Sequence, residues 1–132
     1  MHYHVNELTP VLETVNMQET IKYYTEVLGF NIDFTYPSDD NPLHVGFSIG
    51  GHPDDTNVKK VHFHLSKSDD QKDSGGWLFI NVNEVDEIYT FMQSQKAKIS
   101  VEIDDFPWGY REFEIEDPNG NKFRFTKNLH HH

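Results

Sequence analysis

Two histidines stand one residue apart in the stretch KVHFHLSK, which covers residues 60–67. The stretch alternates polar and apolar residues, so in a β-strand the rings of His62 and His64 lie on the same face. Imidazole nitrogens in such a pair are favoured ligands of zinc, iron and nickel. The pair predicts either half of a metal site or a polar strand face, and the elements that position it must decide between the two.

The composition restricts the partners. The chain has 132 residues, enough for one domain with one core, and 22 acidic against 11 basic residues give a formal charge of -11. Nucleic acid is an unfavourable partner for this charge, whereas a cationic ligand would be attracted. No apolar run is long enough to cross a membrane, and the N-terminus has no signal-peptide pattern. We expect a cytoplasmic protein without a nucleic-acid or membrane partner.

The chain contains no cysteine, which excludes disulfides, thiolate zinc sites and a cysteine nucleophile, and which fits a reducing compartment. The closing histidines, His130 to His132, resemble the remnant of an affinity tag. We therefore leave residues 128–132 out of the fold prediction.

An internal repeat links the two halves of the chain. TVNMQETIKYY at 14–24 resembles NVNEVDEIYTF at 81–91. Each stretch has apolar residues at helical spacing, namely Met17, Ile21, Tyr24 and Leu28 in the first and Val85, Ile88 and Met92 in the second. Asn16 and Asn83 are predicted helix N-caps, and Gly29 is predicted to end the first helix.

Strand-like runs with a period of two follow each predicted helix. They are FNIDFTY, LHVGFSI and VKKVHFHLS in the first half, and AKISVEI, YREFEIE and NKFRFTK in the second. Asp117-Pro118-Asn119-Gly120 forms a turn signal between the last two strands. Residues 50–58 are predicted to be a hairpin loop.

These elements predict an α+β fold of two tandem βαβββ modules in a single domain, residues 1–127. Module one covers about 6–67, a polar linker 68–75, and module two 76–127. The polar strand face carries charges together with Trp77 and Phe79, which suits a ligand cavity. The alternative is an antiparallel sheet with one wet face, held by cross-strand pairs such as Glu114 with Arg124.

The pattern resembles the glyoxalase/bleomycin-resistance/dioxygenase superfamily, also called the vicinal oxygen chelate proteins. The resemblance covers residues 8–127 and depends on TPVLETVNMQETIKYYTEVLGF together with FPWGYREFEIEDPNGNKFRF. It implies paired modules, each an incomplete barrel around a cavity. It also implies that the cavity is completed in a homodimer.

Metal-dependent members of that superfamily place four ligands in one cavity. The resemblance carries these positions to Thr9 (or Pro10), His64, Trp77 and Arg124. Tryptophan offers no lone pair to a metal, and arginine is a fixed cation. The chain is therefore similar to the bleomycin-resistance branch, which implies sequestration of a small, cationic or aromatic ligand or antibiotic without a metal cofactor and without catalysis.

The predicted ligand-binding residues are Glu13, His64, Trp77, Phe79, Trp108, Arg111 and Arg124. Trp77 and Phe79 line a cavity floor or pack at a dimer interface. Trp108 forms an aromatic wall for the ligand or packs against protein. Arg124 binds an anionic ligand group or is held by Glu112 or Glu114.

A second hypothesis stays open beside this one. It is a lyase or dioxygenase that binds a divalent metal through a non-standard set, His62 and His64 with Glu114 or Glu13.

Overall fold

Two four-stranded sheets form the molecule. The computed structural model describes residues 1–52, 55–71 and 75–130. In chain order the elements are β1 (Val11–Thr14), α1 (Met17–Lys22) with a π-helical turn (Tyr23–Val27), β2 (Asn31–Tyr36), β3 (His44–His52), β4 (Asp55–Lys67), β5 (Trp77–Asn81), α2 (Val85–Ser94), β6 (Lys98–Asp105), β7 (Tyr110–Glu116) and β8 (Lys122–Asn128). No helix in the described part of the chain is long and apolar enough to span a membrane.

Both sheets have the same strand plan. The first has the order β1-β4-β3-β2 and the second β5-β8-β7-β6. In each, the first and last strands of the module run parallel and the remaining neighbours run antiparallel. Two parallel strands must be joined by a crossover connection. In each module this connection begins with the helix. The predicted α+β fold with tandem βαβββ order is confirmed, and neither sheet closes into a barrel.

The first helix begins and ends as its sequence predicts. Asn16 accepts a hydrogen bond from the backbone N–H of Glu19 through Oδ1 at 3.1 Å. Gly29 follows the helical segment with a φ of 74°, a backbone conformation that glycine adopts without a steric cost. The prediction that Asn83 caps the second helix is wrong, because the N-cap of α2 is Glu84. The side chain of Glu84 makes no capping hydrogen bond.

The hairpin of module one is longer than predicted. Strand pairing continues to His52 and Asp55, so most of the predicted loop at 50–58 belongs to β3 and β4. Gly50 and Gly51 both have positive φ where the register shifts, and this bulge lets the strands continue. Residues 53 and 54 of that loop, residues 72–74 of the predicted linker and residues 131 and 132 of the expected tag remnant lie outside the described residues.

One aromatic core joins the two modules. Tyr24 is fully buried, and its ring lies 5.0 Å from Phe47, 5.6 Å from Phe63 and 5.5 Å from Phe123. Its hydroxyl donates to Oδ2 of Asp117 at 2.6 Å, which satisfies a buried carboxylate in the turn between β7 and β8. A side chain of module one is thus packed and hydrogen-bonded into module two.

Candidate ligand-binding cavity

The cavity lies on the polar face of the second sheet. Side chains two residues apart on a strand share a face, so alternate residues of β5, β7 and β8 point into it. It has a volume of about 570 Å³ and is lined by Trp77, Phe79, Asn81, Trp108, Tyr110, Glu112, Arg124 and Thr126. The other face of the same strands packs Phe113, Ile115, Phe123 and Phe125 into the core.

Two aromatic pairs form the walls of the cavity. Trp77 and Phe79 lie on β5 with ring centroids 4.8 Å apart. Phe106 and Trp108 both lie in the loop between β6 and β7, and their rings stack at 4.9 Å with planes 16° apart. Trp77 and Trp108 are each 56% exposed, and Phe79 is 58% exposed. Large exposed aromatic rings around a concave surface are characteristic of binding sites.

An arginine between two carboxylates forms the floor. Nε of Arg124 donates to Oε1 of Glu112 at 2.8 Å, and Nη1 approaches Oε1 of Glu114 at 3.4 Å. The guanidinium carbon also lies 5.2 Å from the centroid of the Phe106 ring. All three charged residues are buried, with exposures of 3% to 8%. Arg124 is therefore held by both neighbouring glutamates, and its strand register pairs it directly with Glu114.

The indole N–H groups of both tryptophans bind the same carboxylates. Nε1 of Trp77 donates to Oε1 of Glu114 at 2.9 Å, and Nε1 of Trp108 donates to Oε1 of Glu112 at 3.2 Å. The second oxygens accept from hydroxyls, Glu114 from Ser100 and Glu112 from Thr126, both at 2.8 Å. The walls and the floor of the cavity are thus one hydrogen-bonded network.

Of the predicted ligand-binding residues, Glu13, His64 and Arg111 lie away from this cavity. Glu13 is on β1 and lines a smaller cleft, of about 260 Å³, between the modules. Arg111 lies on the opposite face of β7, where it binds Asp86 and Asp105 at 2.8 and 2.9 Å. The hydrogen bonds that Arg111 donates to Asp86 and Asp105 raise the pKa of its guanidinium.

The histidine pair occupies the polar face of the first sheet. His64 Nδ1 lies 2.9 Å from His44 Nε2, and partial burial together with His44 lowers the pKa of His64. Nδ1 of His62 contacts Oδ2 of Asp33 at 3.0 Å, and Ser48 donates to the other oxygen of Asp33. The strand neighbour of His64 on β1 is Val11, while Thr9 and Pro10 precede that strand.

The structure does not bring His62 and His64 together with Glu114 as the ligands of one metal ion. His62 and His64 belong to the first sheet and Glu114 to the second, where Arg124, Trp77 and Ser100 already use its oxygens. Within residues 1–52, 55–71 and 75–130, no group of three histidines or carboxylates is arranged to hold a metal ion.

Some of these positions could have been found from the sequence. The period of two on β7 puts Glu112 on the face of Glu114 and puts Arg111 on the face of Phe113, which excludes Arg111 from the polar face. Thr126 follows Arg124 at the same spacing on β8. Phe106 stands two residues before Trp108, but its loop has no periodicity that would have predicted the stacking.

Comparison with known proteins assigns this architecture to a superfamily. The model of the "Glyoxalase/Bleomycin resistance protein/Dioxygenase superfamily" matches residues 5–125. No curated protein matches the chain. Among solved structures, the chain is similar to TioX from Micromonospora sp. ML1, with a TM-score of 0.71, 18% identity and coverage of 93% of this chain and 96% of that one.

Two further structures show the same fold. A glyoxalase-related enzyme from Clostridium phytofermentans has a TM-score of 0.74 and 24% identity, with 96% of this chain and 97% of that chain covered. The bleomycin-binding protein from bleomycin-producing Streptomyces verticillus, complexed with copper(II)-bleomycin, has a TM-score of 0.68 and 22% identity, with coverages of 95% and 99%. With a family match over nearly its whole length and the two sheets in place, the chain belongs to the glyoxalase/bleomycin resistance protein/dioxygenase superfamily.

Proposed function

We propose that this protein binds and sequesters a small planar aromatic cation, in the manner of the bleomycin-resistance branch and without catalysis. The observation that carries the proposal is the cavity of about 570 Å³ with tryptophan walls over a charged floor. A planar ligand gains stacking energy from such walls, of about 0.5–1.5 kcal/mol for each aromatic pair. The cytoplasmic location expected from the sequence is part of the same proposal.

The charge of Arg124 and its two carboxylate partners favours a cationic ligand. Glu112 and Glu114 together carry two negative charges, and Arg124 provides one positive charge between them. The remaining negative charge is buried, where water screens it weakly. Tryptophan faces also attract cations through the ring quadrupole. A ligand that is both planar and positively charged uses both properties of this cavity.

We also propose that a second copy of the chain covers the large exposed hydrophobic side chains on β2 of the first sheet. Phe34 and Ile32 on β2 are 43% and 44% exposed, and Tyr36 on the same strand is 66% exposed. Exposed apolar surface of this kind is characteristic of protein interfaces. Light scattering coupled to gel filtration would show a dimer; a monomer at micromolar concentration would contradict this part of the proposal.

Titration calorimetry with metal-free bleomycin, an acridinium dye and a neutral anthracene analogue of the same shape tests the ligand. We expect the dye to bind more tightly than its neutral analogue, because only the dye has a positive charge. Trp108→Ala should weaken dye binding by about fivefold, which corresponds to about 1 kcal/mol of stacking.

Phe91→Ala is the matched control, because Phe91 is an exposed aromatic residue on α2 outside the cavity. Binding should be unchanged in this variant. Equal affinity for the cation and its neutral analogue would contradict the charge argument. The absence of binding by all three compounds would contradict the proposed function.

The metal-free part of the proposal has its own measurement. Elemental analysis should be made on protein without residues 130–132, since that run of histidines binds nickel by itself. We expect less than stoichiometric zinc, iron, nickel and manganese. A stoichiometric metal that survives dialysis would instead favour the hypothesis of a metal-dependent lyase or dioxygenase.

A further inference from the structure

Two acceptor oxygens connect the walls of the cavity. Oε1 of Glu114 accepts from both Trp77 and Arg124, and Oε1 of Glu112 accepts from both Trp108 and Arg124. Each carboxylate oxygen is therefore shared between one wall and the guanidinium. Because the guanidinium of Arg124 is a rigid planar fork, the two carboxylates are bound to a single rigid group.

Packing alone holds the tryptophans weakly. Trp77 is the first residue of β5, which is an edge strand of its sheet, and Trp108 lies in the loop before β7. More than half of each tryptophan is exposed, whereas Glu112 and Glu114 are 3% and 5% exposed. Besides its ring contact with Phe79 or Phe106, each indole is restrained in direction by its hydrogen bond to a buried carboxylate.

We propose that Glu114 and Arg124 are positioning residues that couple the two tryptophan walls. Glu114 does not line the cavity, so it acts on a ligand through Trp77, and through Arg124 and Glu112 on Trp108. The orientation of each wall then depends on the hydrogen bonding of the other. The role deepens the proposed function, since it concerns the same cavity, but its test requires no ligand.

The two tryptophans of the chain make this coupling measurable. In protein labelled with ¹⁵N-tryptophan, each indole N–H gives one cross-peak, and Trp77→Phe and Trp108→Phe assign the two peaks. Glu114→Gln removes the charge of a residue that contacts Trp77 but not Trp108. We expect both cross-peaks to shift.

The matched control is Glu116→Gln, two residues further along β7. Glu116 pairs with Lys98 at 3.1 Å and contacts neither indole nitrogen. Both cross-peaks should keep their positions in this variant. If Glu114→Gln shifts the Trp77 peak and leaves the Trp108 peak in place, the walls are independent and the proposal is overturned.

A milder variant keeps the test valid if Glu114→Gln does not fold. Ser100 is exposed, and its hydroxyl donates to Oε2 of Glu114 at 2.8 Å. Ser100→Ala therefore perturbs the carboxylate while its charge is retained. The two cross-peaks should move together, by less than in Glu114→Gln; a shift confined to Trp77 would overturn the proposal in the same way.

Arg124→Lys tests the route of the coupling. A lysine ammonium keeps the positive charge but lacks the fork that reaches both carboxylates. In this background, Ser100→Ala should shift the Trp77 cross-peak alone. A shift of both peaks would show that the coupling does not pass through Arg124. Failure of every dye to bind, with the coupling intact, would contradict the proposed function and leave this inference standing.

Discussion

Burial and a neighbouring histidine change the pKa of His64. Burial lowers its pKa first, and the neighbouring His44 lowers it further. Both effects penalise the protonated ring, since the imidazoles approach to 2.9 Å and one nitrogen must act as the acceptor. Of the two histidines that suggested a metal, His64 is thus hydrogen-bonded to His44, and His62 contacts Asp33.

The lowered pKa predicts a stability that depends on pH. The unfolded chain binds this proton near pH 6.5, whereas the folded chain binds it at a lower pH. The contribution of the neutral ring is present above pH 6.5 and is lost as the pH falls through 6.5 toward the folded pKa. Urea unfolding between pH 8 and pH 5 should show a smaller loss of stability in His64→Gln than in the wild type.

His4→Gln is the control for this measurement, because His4 lies in the exposed N-terminal segment. Its profile should follow that of the wild type. If the His64→Gln and wild-type curves run parallel over the whole range, His64 does not contribute to the pH dependence.

At the level of the elements, the two helices of the repeat start differently. Asn16 caps α1 through its side chain, and its amide also donates to the carboxylate of Glu19. Asn83 holds the equivalent place in the repeat, but α2 begins one residue later, and no side chain caps it. The same residue in the same pattern therefore has different roles in the two modules.

This difference predicts unequal effects of matched substitutions. Asn16→Ala removes an N-cap and should reduce the free energy of unfolding by about 1 kcal/mol. Asn83→Ala should change it by less than about 0.5 kcal/mol, since Asn83 is exposed and does not cap. Urea unfolding of both variants provides the comparison. Equal losses would show that the cap at Asn16 does not stabilise α1.

At the scale of the whole molecule, Asn121 connects the start of module two to module one. The backbone N–H of Gly76 donates to Oδ1 of Asn121 at 2.7 Å, and the amide of Asn121 donates to the carbonyl of Glu13 at 3.0 Å. A Cβ atom on Gly75 would lie 2.6 Å from the backbone nitrogen of Asn121. The close approach of these backbones requires a glycine.

Gly75→Ala should therefore reduce the free energy of unfolding by about 1–3 kcal/mol, because backbone atoms must move apart. Gly46→Ala is the matched comparison. The atoms nearest to a Cβ atom there belong to the ring of Phe34, which is 43% exposed and can turn away. Thermal unfolding should show the larger decrease in Tm for Gly75→Ala; the reverse order would contradict this account of the module contact.

Much of the fold could be predicted because its signals are local. The period of two in KFRFTK and YREFEIE, and the helical spacing of Met17, Ile21 and Tyr24, depend on residues that are close in sequence. The cross-strand pair of Glu114 with Arg124 was also predictable, since a short turn joins their strands and sets the register.

The cavity depended on more distant contacts. Trp77 meets Glu114 across 37 residues, and His64 and Arg124 lie on separate sheets although the superfamily pattern placed them in one site. Hydrophobic periodicity by itself determined the elements, their buried faces and the repeat. The tertiary structure alone decided which polar residues share a site, because that depends on the path of the chain and on how the two sheets pack.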